Sequence, residues 1–141
     1  MSEIKNPSVF EVGNPLPEKF SKYFDHTLLK PEATTQQILQ LVSEAAALDV
    51  AAVCVNGSHV RSARRFLDAA GSDVKVAAVA GFPLGAMSTN SKAYEVQLAL
   101  EDGAREMTLD FRGTVFHLAL RTESVEPAET VLTAEGPDYT F

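Results

Sequence analysis

The feature that most constrains the fold of this chain is a regular alternation between short apolar runs and amphipathic stretches. An uninterrupted apolar run is typical of a strand covered on both faces, whereas apolar residues spaced by three or four are typical of a helix with one buried side. The wholly or mostly apolar runs are 50–55, 74–80 and 107–111, with a shorter one at 22–25. Because a helical stretch separates each run from the next, we predict a βαβαβαβ chain with parallel strands.

The helical stretches carry their own boundary signals. Thr34 followed by Gln37 fits a capping box, in which each side chain satisfies a backbone donor at the start of a helix. Ser88 and Thr89 are placed to cap the third helix, and Gly71 follows the last turn of the second. The apolar stripes predicted to face the sheet are Ile38, Leu41, Val42, Ala45 and Leu48, then Ala63, Phe66, Leu67 and Ala70, then Ala93, Val96 and Leu100.

This order of elements defines an α/β fold. Parallel strands joined by helices give either a doubly wound sheet or a (β/α)8 barrel, and a barrel takes about eight units and roughly 250 residues. The 141 residues here hold about four βα units, so we predict a partial (β/α)8 TIM barrel. Its parts are an extended arm at 1–20, a half-barrel at 21–111, and a divergent, acidic tail at 112–141 that is expected to be poorly ordered in part, with a short strand at 114–120.

Composition and charge exclude several classes of partner. A formal net charge of -7 argues against nucleic-acid binding, which needs a basic stripe, and Arg61, Arg64 and Arg65 at helical spacing indicate a solvated face. No apolar run approaches the roughly 20 residues that span a bilayer, and the amino terminus does not resemble a signal peptide. The single cysteine, Cys54, excludes an internal disulfide, so we expect a protein of the reducing cytoplasm.

In both parallel architectures ligands gather at the carboxyl ends of the strands. The residues predicted there include Asp25, Cys54, Thr108 and Asp110, with the glycine-rich loop 81–85 after the third strand. Asp25 is either a polar group that faces the barrel mouth or a strand-end aspartate that binds the next loop. Cys54 is either part of a pocket wall or a small buried hydrophobic residue.

Metal chemistry and cysteine chemistry find little support in the residue pattern. The three histidines, His26, His59 and His117, do not recur at the spacing of metal ligands, so we predict no zinc site. Nothing in the sequence places a base beside Cys54, which a nucleophilic thiol would need.

Four segments, in order along the chain, carry a resemblance to a known family. They are 24–31 (FDHTLLKP), 53–56 (VCVN), 81–85 (GFPLG) and 101–106 (EDGARE). Together they resemble the opening strands and loops of the deoxyribose-phosphate aldolases, and the similarity covers about residues 20–111. The chain is therefore similar to the amino-terminal half of that family's barrel.

The resemblance implies a class I aldolase that converts 2-deoxy-D-ribose 5-phosphate to glyceraldehyde 3-phosphate and acetaldehyde. In that chemistry a lysine forms a Schiff base, and the protonated imine stabilises the carbanion left by carbon–carbon cleavage. The implied partners are a small phosphorylated sugar and an aldehyde, with no metal or organic cofactor, no nucleic acid and no membrane. A homo-oligomer is also possible.

The resemblance also assigns residues. Asp25 matches the catalytic aspartate of the first strand, and Cys54 matches the cysteine that lines the substrate site. Thr108 occupies the position at which the family has the aspartate of its proton relay. Asp110, two residues on, would point to the same face of the strand and one layer nearer the barrel mouth. We therefore take Asp25, Thr108 and Asp110 as the catalytic candidates and Cys54 as the substrate-binding one.

The family's Schiff-base lysine comes later in the barrel, and no lysine here matches it. The six lysines are Lys5, Lys19, Lys22, Lys30, Lys75 and Lys92. A frameshift, a deletion or a divergent splice after Phe111 would each give such a tail. Two hypotheses stay open: an aldolase that is inactive as this chain or is completed by another chain, and a non-catalytic homologue that binds phosphosugar weakly or self-associates. A flavodoxin-like phosphate binder fits the alternation of strands and helices but not the order of the motifs.

Overall fold

The computed structural model describes residues 15–111 and 114–119. The elements are β1 (Asp25–Leu28), α1 (Thr35–Leu48), β2 (Ala52–Asn56), α2 (Val60–Ala69), β3 (Lys75–Ala80), α3 (Thr89–Glu101), β4 (Glu106–Phe111) and β5 (Thr114–Ala119). Short 3₁₀ turns lie at Phe20–Tyr23 and Gly57–His59. Most of the predicted arm (1–14) and most of the predicted tail (112–113 and 120–141) fall outside the described residues.

The five strands form one sheet in the order β1-β2-β3-β4-β5. The first four are parallel, and a helix follows each of β1, β2 and β3 before the next strand begins. Each strand therefore lies beside its predecessor, as in a barrel that is built up strand by strand. The predicted α/β architecture with four parallel strands is confirmed.

The fifth strand runs in the opposite direction. Six residue pairs join it to β4, from Glu106 opposite Ala119 to Phe111 opposite Thr114. Only two residues separate β4 from β5, and a connection this short can join only antiparallel neighbours. The sequence predicted a strand here, but it did not predict a hairpin on the edge where the next parallel strand of a barrel would pair.

The prediction of a buried first strand at 22–25 is wrong. The chain at Phe20–Tyr23 forms a 3₁₀ turn, and the ring of Phe20 packs edge-on against Phe24 with centroids 4.8 Å apart. The Lys22 ammonium donates to the carboxylate of Asp49 at the end of α1, which fixes this turn. The strand begins only at Asp25, and its residues are exposed or half-buried because β1 is the outermost strand of the described sheet.

The main core lies between the sheet and one layer of helices. From α1 it receives Ile38, Leu41, Val42 and Ala45, as predicted, whereas Leu48 is 60% exposed. The predicted capping box is present, since the Gln37 amide donates to the Thr34 hydroxyl and the Gln37 side chain accepts from the Thr34 amide. This cap fixes the start of α1 and so the direction in which the helix crosses the sheet.

The buried stripe of α3 differs from the prediction. Ala93 is exposed, and the residues that face the core are Lys92, Val96 and Ala99. The Ser88 hydroxyl accepts from the Ser91 amide, so the predicted cap at Ser88 is confirmed. A lysine in a buried stripe is unusual, and its binding partner lies in the loop that follows β3.

None of the helices in the described part of the chain is long and apolar enough to cross a membrane.

Candidate functional site

The two faces of the sheet have different surroundings. Side chains of one alternating set pack against the helices; on β2 these are Val53 and Val55. The other set forms a second, smaller cluster on the opposite face, where Ala52, Cys54, Ala77 and Val79 meet Leu29. We call this opposite face the inner face, since it corresponds to the interior of a barrel.

The parallel register orders the inner face into three rows across the strands. The first row joins Asp25, Ala52 and Lys75. The second joins Thr27, Cys54, Ala77 and Glu106, and the third joins Asn56, Val79 and Thr108. Successive rows lie about 7 Å apart along the strands.

Three of the four predicted site residues therefore share the inner face. Asp25 lies in the first row, Cys54 in the second and Thr108 in the third. Asp25 opens its strand and is exposed; the sequence had placed it at the strand's end. The backbone of Asp110 lies two residues beyond Thr108, opposite Val115 of β5.

Sequence reasoning missed an ion pair on the same face. The Lys75 ammonium lies 3.0 Å from the carboxylate of Glu106, which is only 7% exposed. Since Glu106 shares the row of Cys54, this pair places a fixed negative and a fixed positive charge at the foot of the inner face. The sequence did contain a sign of this pair. Lys75 and Glu106 each stand at the start of an apolar strand, and the alternation of side chains places both on the inner face.

Cys54 is a neutral thiol at ordinary pH. Burial, and then the carboxylates of Asp25 and Glu106, raise the pKa of the Cys54 thiol from 9.0 to about 11. These causes also show that both carboxylates lie close enough to Cys54 to affect its charge. A thiol held in its protonated form suits the wall of a pocket and does not suit a nucleophile.

His26, which follows Asp25 in β1, belongs to the other face of the sheet. The His26 ring lies 2.7 Å from the carboxylate of Glu44 on α1, and this bond together with one from Gln40 lowers the pKa of Glu44. His26 thus joins β1 to α1. Among the described residues, no group of three or more histidine, cysteine, aspartate and glutamate side chains could hold a metal ion.

The loop after β3 is held by two side chains of α3. The Lys92 ammonium donates to the Gly85 carbonyl at 2.6 Å, and the Glu95 carboxylate accepts from the Gly81 amide at 2.6 Å. Gly81 has a φ of 70° and Gly85 a φ of 63°, positive values that residues with a side chain rarely adopt. The two charged residues, one helical turn apart, therefore fix both ends of loop 81–85.

Side-chain bonds hold the loops at the carboxyl end of the sheet. The side chains of Phe82 and Leu84 are exposed between the two fixed glycines. On the neighbouring strand, the Asn56 amide donates to the Leu29 carbonyl and ties the loop after β1 to the end of β2. Two strand ends are thus held in place by side-chain bonds to backbone, as a binding site at this edge requires.

Comparisons with known proteins agree with this geometry. A deoxyribose-phosphate aldolase of Clostridium botulinum (strain Langeland) is 56% identical over 91 residues, which are 64% of this chain and 42% of the relative. A structure from Coccidioides immitis assigned as a deoxyribose-phosphate aldolase superposes with a TM-score of 0.63 at 37% identity, over 68% of this chain and 38% of that one. Over these 91 residues the chain resembles the deoxyribose-phosphate aldolases. No family model matches it.

The match to the deoxyribose-phosphate aldolases is partial. The tetrameric deoxyribose phosphate aldolase of Aeropyrum pernix gives a TM-score of 0.59 at 29% identity, over 64% of this chain and 38% of its own. The chain thus spans less than half the length of these relatives. That coverage fits the prediction that it corresponds to the amino-terminal half of the family's barrel.

The bond between the Glu95 carboxylate and the Gly81 amide, which helps to hold loop 81–85, can be tested directly. We expect Glu95→Ala to speed hydrogen exchange of the Gly81 amide by roughly tenfold or more, because a hydrogen bond to a charged group contributes about 1.5–3 kcal/mol. Glu101→Ala, on the exposed side of the same helix, serves as the control. Equal exchange in the two variants would show that Glu95 does not hold the loop.

The protonation of the Cys54 thiol provides a second test. Followed by thiolate absorbance in the folded protein, Cys54 should titrate near pH 11, and Glu106→Gln should lower that midpoint only in part, since burial is the larger cause. The folded state holds this proton more tightly than the unfolded chain does. The contribution of Cys54 to stability should therefore be constant below about pH 9 and fall as the pH rises toward 11, a loss that Cys54→Ser should remove. A midpoint near 9.0, the ordinary value, would contradict the buried placement.

Proposed function

We propose that this chain carries the first half of a deoxyribose-phosphate aldolase site and that these 141 residues do not by themselves form the imine on which the reaction depends. The observation that carries the proposal is the shared inner face of Asp25, Cys54 and Thr108 on parallel strands of a chain that resembles this family. The reaction of the ancestral enzyme would be cleavage of 2-deoxy-D-ribose 5-phosphate to glyceraldehyde 3-phosphate and acetaldehyde. No cofactor is needed for it.

The role proposed for Asp25 is to orient or exchange a proton with the substrate. A carboxylate at the opening of β1, exposed and close to Cys54, can accept a hydrogen bond from a sugar hydroxyl or from a water. Thr108 lies where the family's relay aspartate is expected, and a hydroxyl can pass a proton along a chain of hydrogen bonds but cannot serve as a base near neutral pH. Asp110 is the proposed, imperfect replacement.

The role proposed for Cys54 is contact with the substrate. Its neutral thiol presents a small, polarisable surface between Ala52 and Val79 in a cluster of small residues. The small side chains of this cluster favour a short aldehyde over a bulky one as the proposed ligand.

The proposed lack of imine formation rests on where the five lysines of residues 15–111 lie; Lys5 is outside the described residues. Lys22 binds the end of α1, and Lys92 is 4% exposed with its ammonium directed at a backbone carbonyl. Lys75 is on the inner face, but its nitrogen is engaged in an ion pair, 3.0 Å from the carboxylate of Glu106. Lys19 and Lys30 are exposed and lie in the segments before and after β1, outside the strands of the inner face.

The division into an arm at 1–20, a half-barrel at 21–111 and a tail at 112–141 remains part of the proposal. In this scheme the half-barrel holds the substrate-facing residues, and a second half from another chain would supply the amine. The alternative is a non-catalytic homologue that binds phosphosugar weakly or self-associates. It is favoured by the lysine surroundings and disfavoured by the retained Asp25 and Cys54.

Borohydride trapping tests the proposal. The purified chain is incubated with acetaldehyde and reduced, and modified lysines are located by peptide mass spectrometry. We expect no stoichiometric label on any single lysine, while an intact deoxyribose-phosphate aldolase treated in parallel labels at its one active lysine.

A stoichiometric label on one lysine would overturn the proposed inactivity. Lys75→Arg and Lys92→Arg keep the charge at the two lysines with fixed partners, so loss of the label in one of them would identify the amine. Weak labelling spread over the exposed lysines would agree with the proposal, since any surface amine reacts slowly with an aldehyde.

A further inference from the structure

Asp25 is the first residue of β1, a strand whose four residues are all exposed or half-buried. The backbone just before it is bound to the sheet, since the Phe24 carbonyl accepts from the Ala51 amide at 2.9 Å. Strand ends with few buried contacts open more readily than the centre of a sheet. A side-chain bond beside Asp25 therefore affects where its carboxylate lies.

His26 makes such a bond. Successive residues of a strand point to opposite faces, so His26 faces the helix layer while Asp25 faces the inner side. The His26 Nε2 atom lies 2.7 Å from the carboxylate of Glu44 on α1. The same carboxylate accepts from the Gln40 side-chain amide, one helical turn earlier, at 2.9 Å. Both oxygens of Glu44 are thus bonded, which orients the carboxylate toward β1.

The bond between His26 and Glu44 has a defined donor. Its hydrogen bonds, first to His26 and then to Gln40, lower the pKa of Glu44, so this carboxyl group is ionised at neutral pH and can only accept. The Nε2 atom of His26 therefore carries the hydrogen. A hydrogen bond to an ionised acceptor is shorter and stronger than one between neutral groups.

Asp25 lies close to Cys54 on the inner face. The register places Asp25 opposite Ala52 and Thr27 opposite Cys54, so the aspartate is one row from the thiol. After burial, the carboxylate of Asp25 is the next cause of the raised pKa of the Cys54 thiol. Because the effect of a charge falls with distance, Cys54 reports on the position of the Asp25 carboxylate.

We propose that His26 is a positioning residue for Asp25: its bond to Glu44 holds β1 against α1 and so fixes the Asp25 carboxylate beside Cys54. His26 acts from the helix side of the sheet, whereas Asp25 and Cys54 share the inner side. The use of Asp25 in catalysis rests on the proposed function, but its placement by His26 does not. Imine trapping tests the first and titration of the thiol tests the second, so either can fail alone.

Titration of Cys54, followed by NMR through its isotope-labelled Cβ in the full chain, tests the proposal. We expect His26→Ala to let the start of β1 move, so that the thiolate fraction at about pH 10 rises roughly twofold or more, since part of a nearby negative charge is lost. His26→Gln should restore most of the original titration, because its side-chain amide can donate to Glu44. Ser43→Ala removes an exposed hydroxyl bonded within α1 and is the matched control, with no change expected.

A double-mutant cycle separates positioning from a general effect on the sheet. If His26 acts through Asp25, His26→Ala changes the titration of Cys54 in the original chain and leaves it unchanged in an Asp25→Asn background. Far-UV circular dichroism verifies that each variant is folded, and Glu44→Ala breaks the same bond from α1 if His26→Ala is unstable. Equal effects in both backgrounds, or no effect in either, would overturn the proposal.

Discussion

The parallel pairing of β2 with β3 determines which of their side chains face the helices and which face the inner side of the sheet. Both strands are covered on both faces, so the side chains must alternate between the helix layer and the inner face without a gap. Valines occupy most of the positions toward the helices, whereas Ala52, Cys54 and Ala77 occupy the inner face. The large side chains thus form the core, and the small ones line the inner face.

The candidate site is a consequence of this register. A shift of one residue in any strand would exchange the two faces and move Asp25 or Cys54 into the helix layer. Burial of Cys54 and the nearby carboxylates then keep its thiol neutral, while Lys75 offsets the charge of Glu106. The polar groups of the inner face are therefore held by a sheet whose stability comes from the opposite face.

Sequence reasoning predicted the elements that depend on local patterns. The Thr34 and Gln37 cap and the four parallel strands were predicted because periodicity and capping chemistry act over a few residues. The aromatic run at 22–25 was misassigned because tertiary contacts of Phe20 and Lys22 hold it in a turn. The bond from Lys92 to the Gly85 carbonyl was missed because no local pattern records it, whereas the pair of Lys75 and Glu106 was missed although both residues begin apolar strands on the same face. The roles of Asp25, Cys54, Thr108 and Asp110 remain predictions, which the register supports only by bringing the positions together.

Residues 25–111 and 114–119 form one sheet in which four parallel strands, in chain order, are followed by an antiparallel strand. Interstrand nuclear Overhauser effects in the isotope-labelled chain test it most directly. We expect cross-peaks that join Thr27 to Cys54 and Cys54 to Ala77 in parallel register, and Met107 to Leu118 in antiparallel register. A spectrum without dispersed amide signals, or cross-peaks that place β5 parallel to β4, would contradict it.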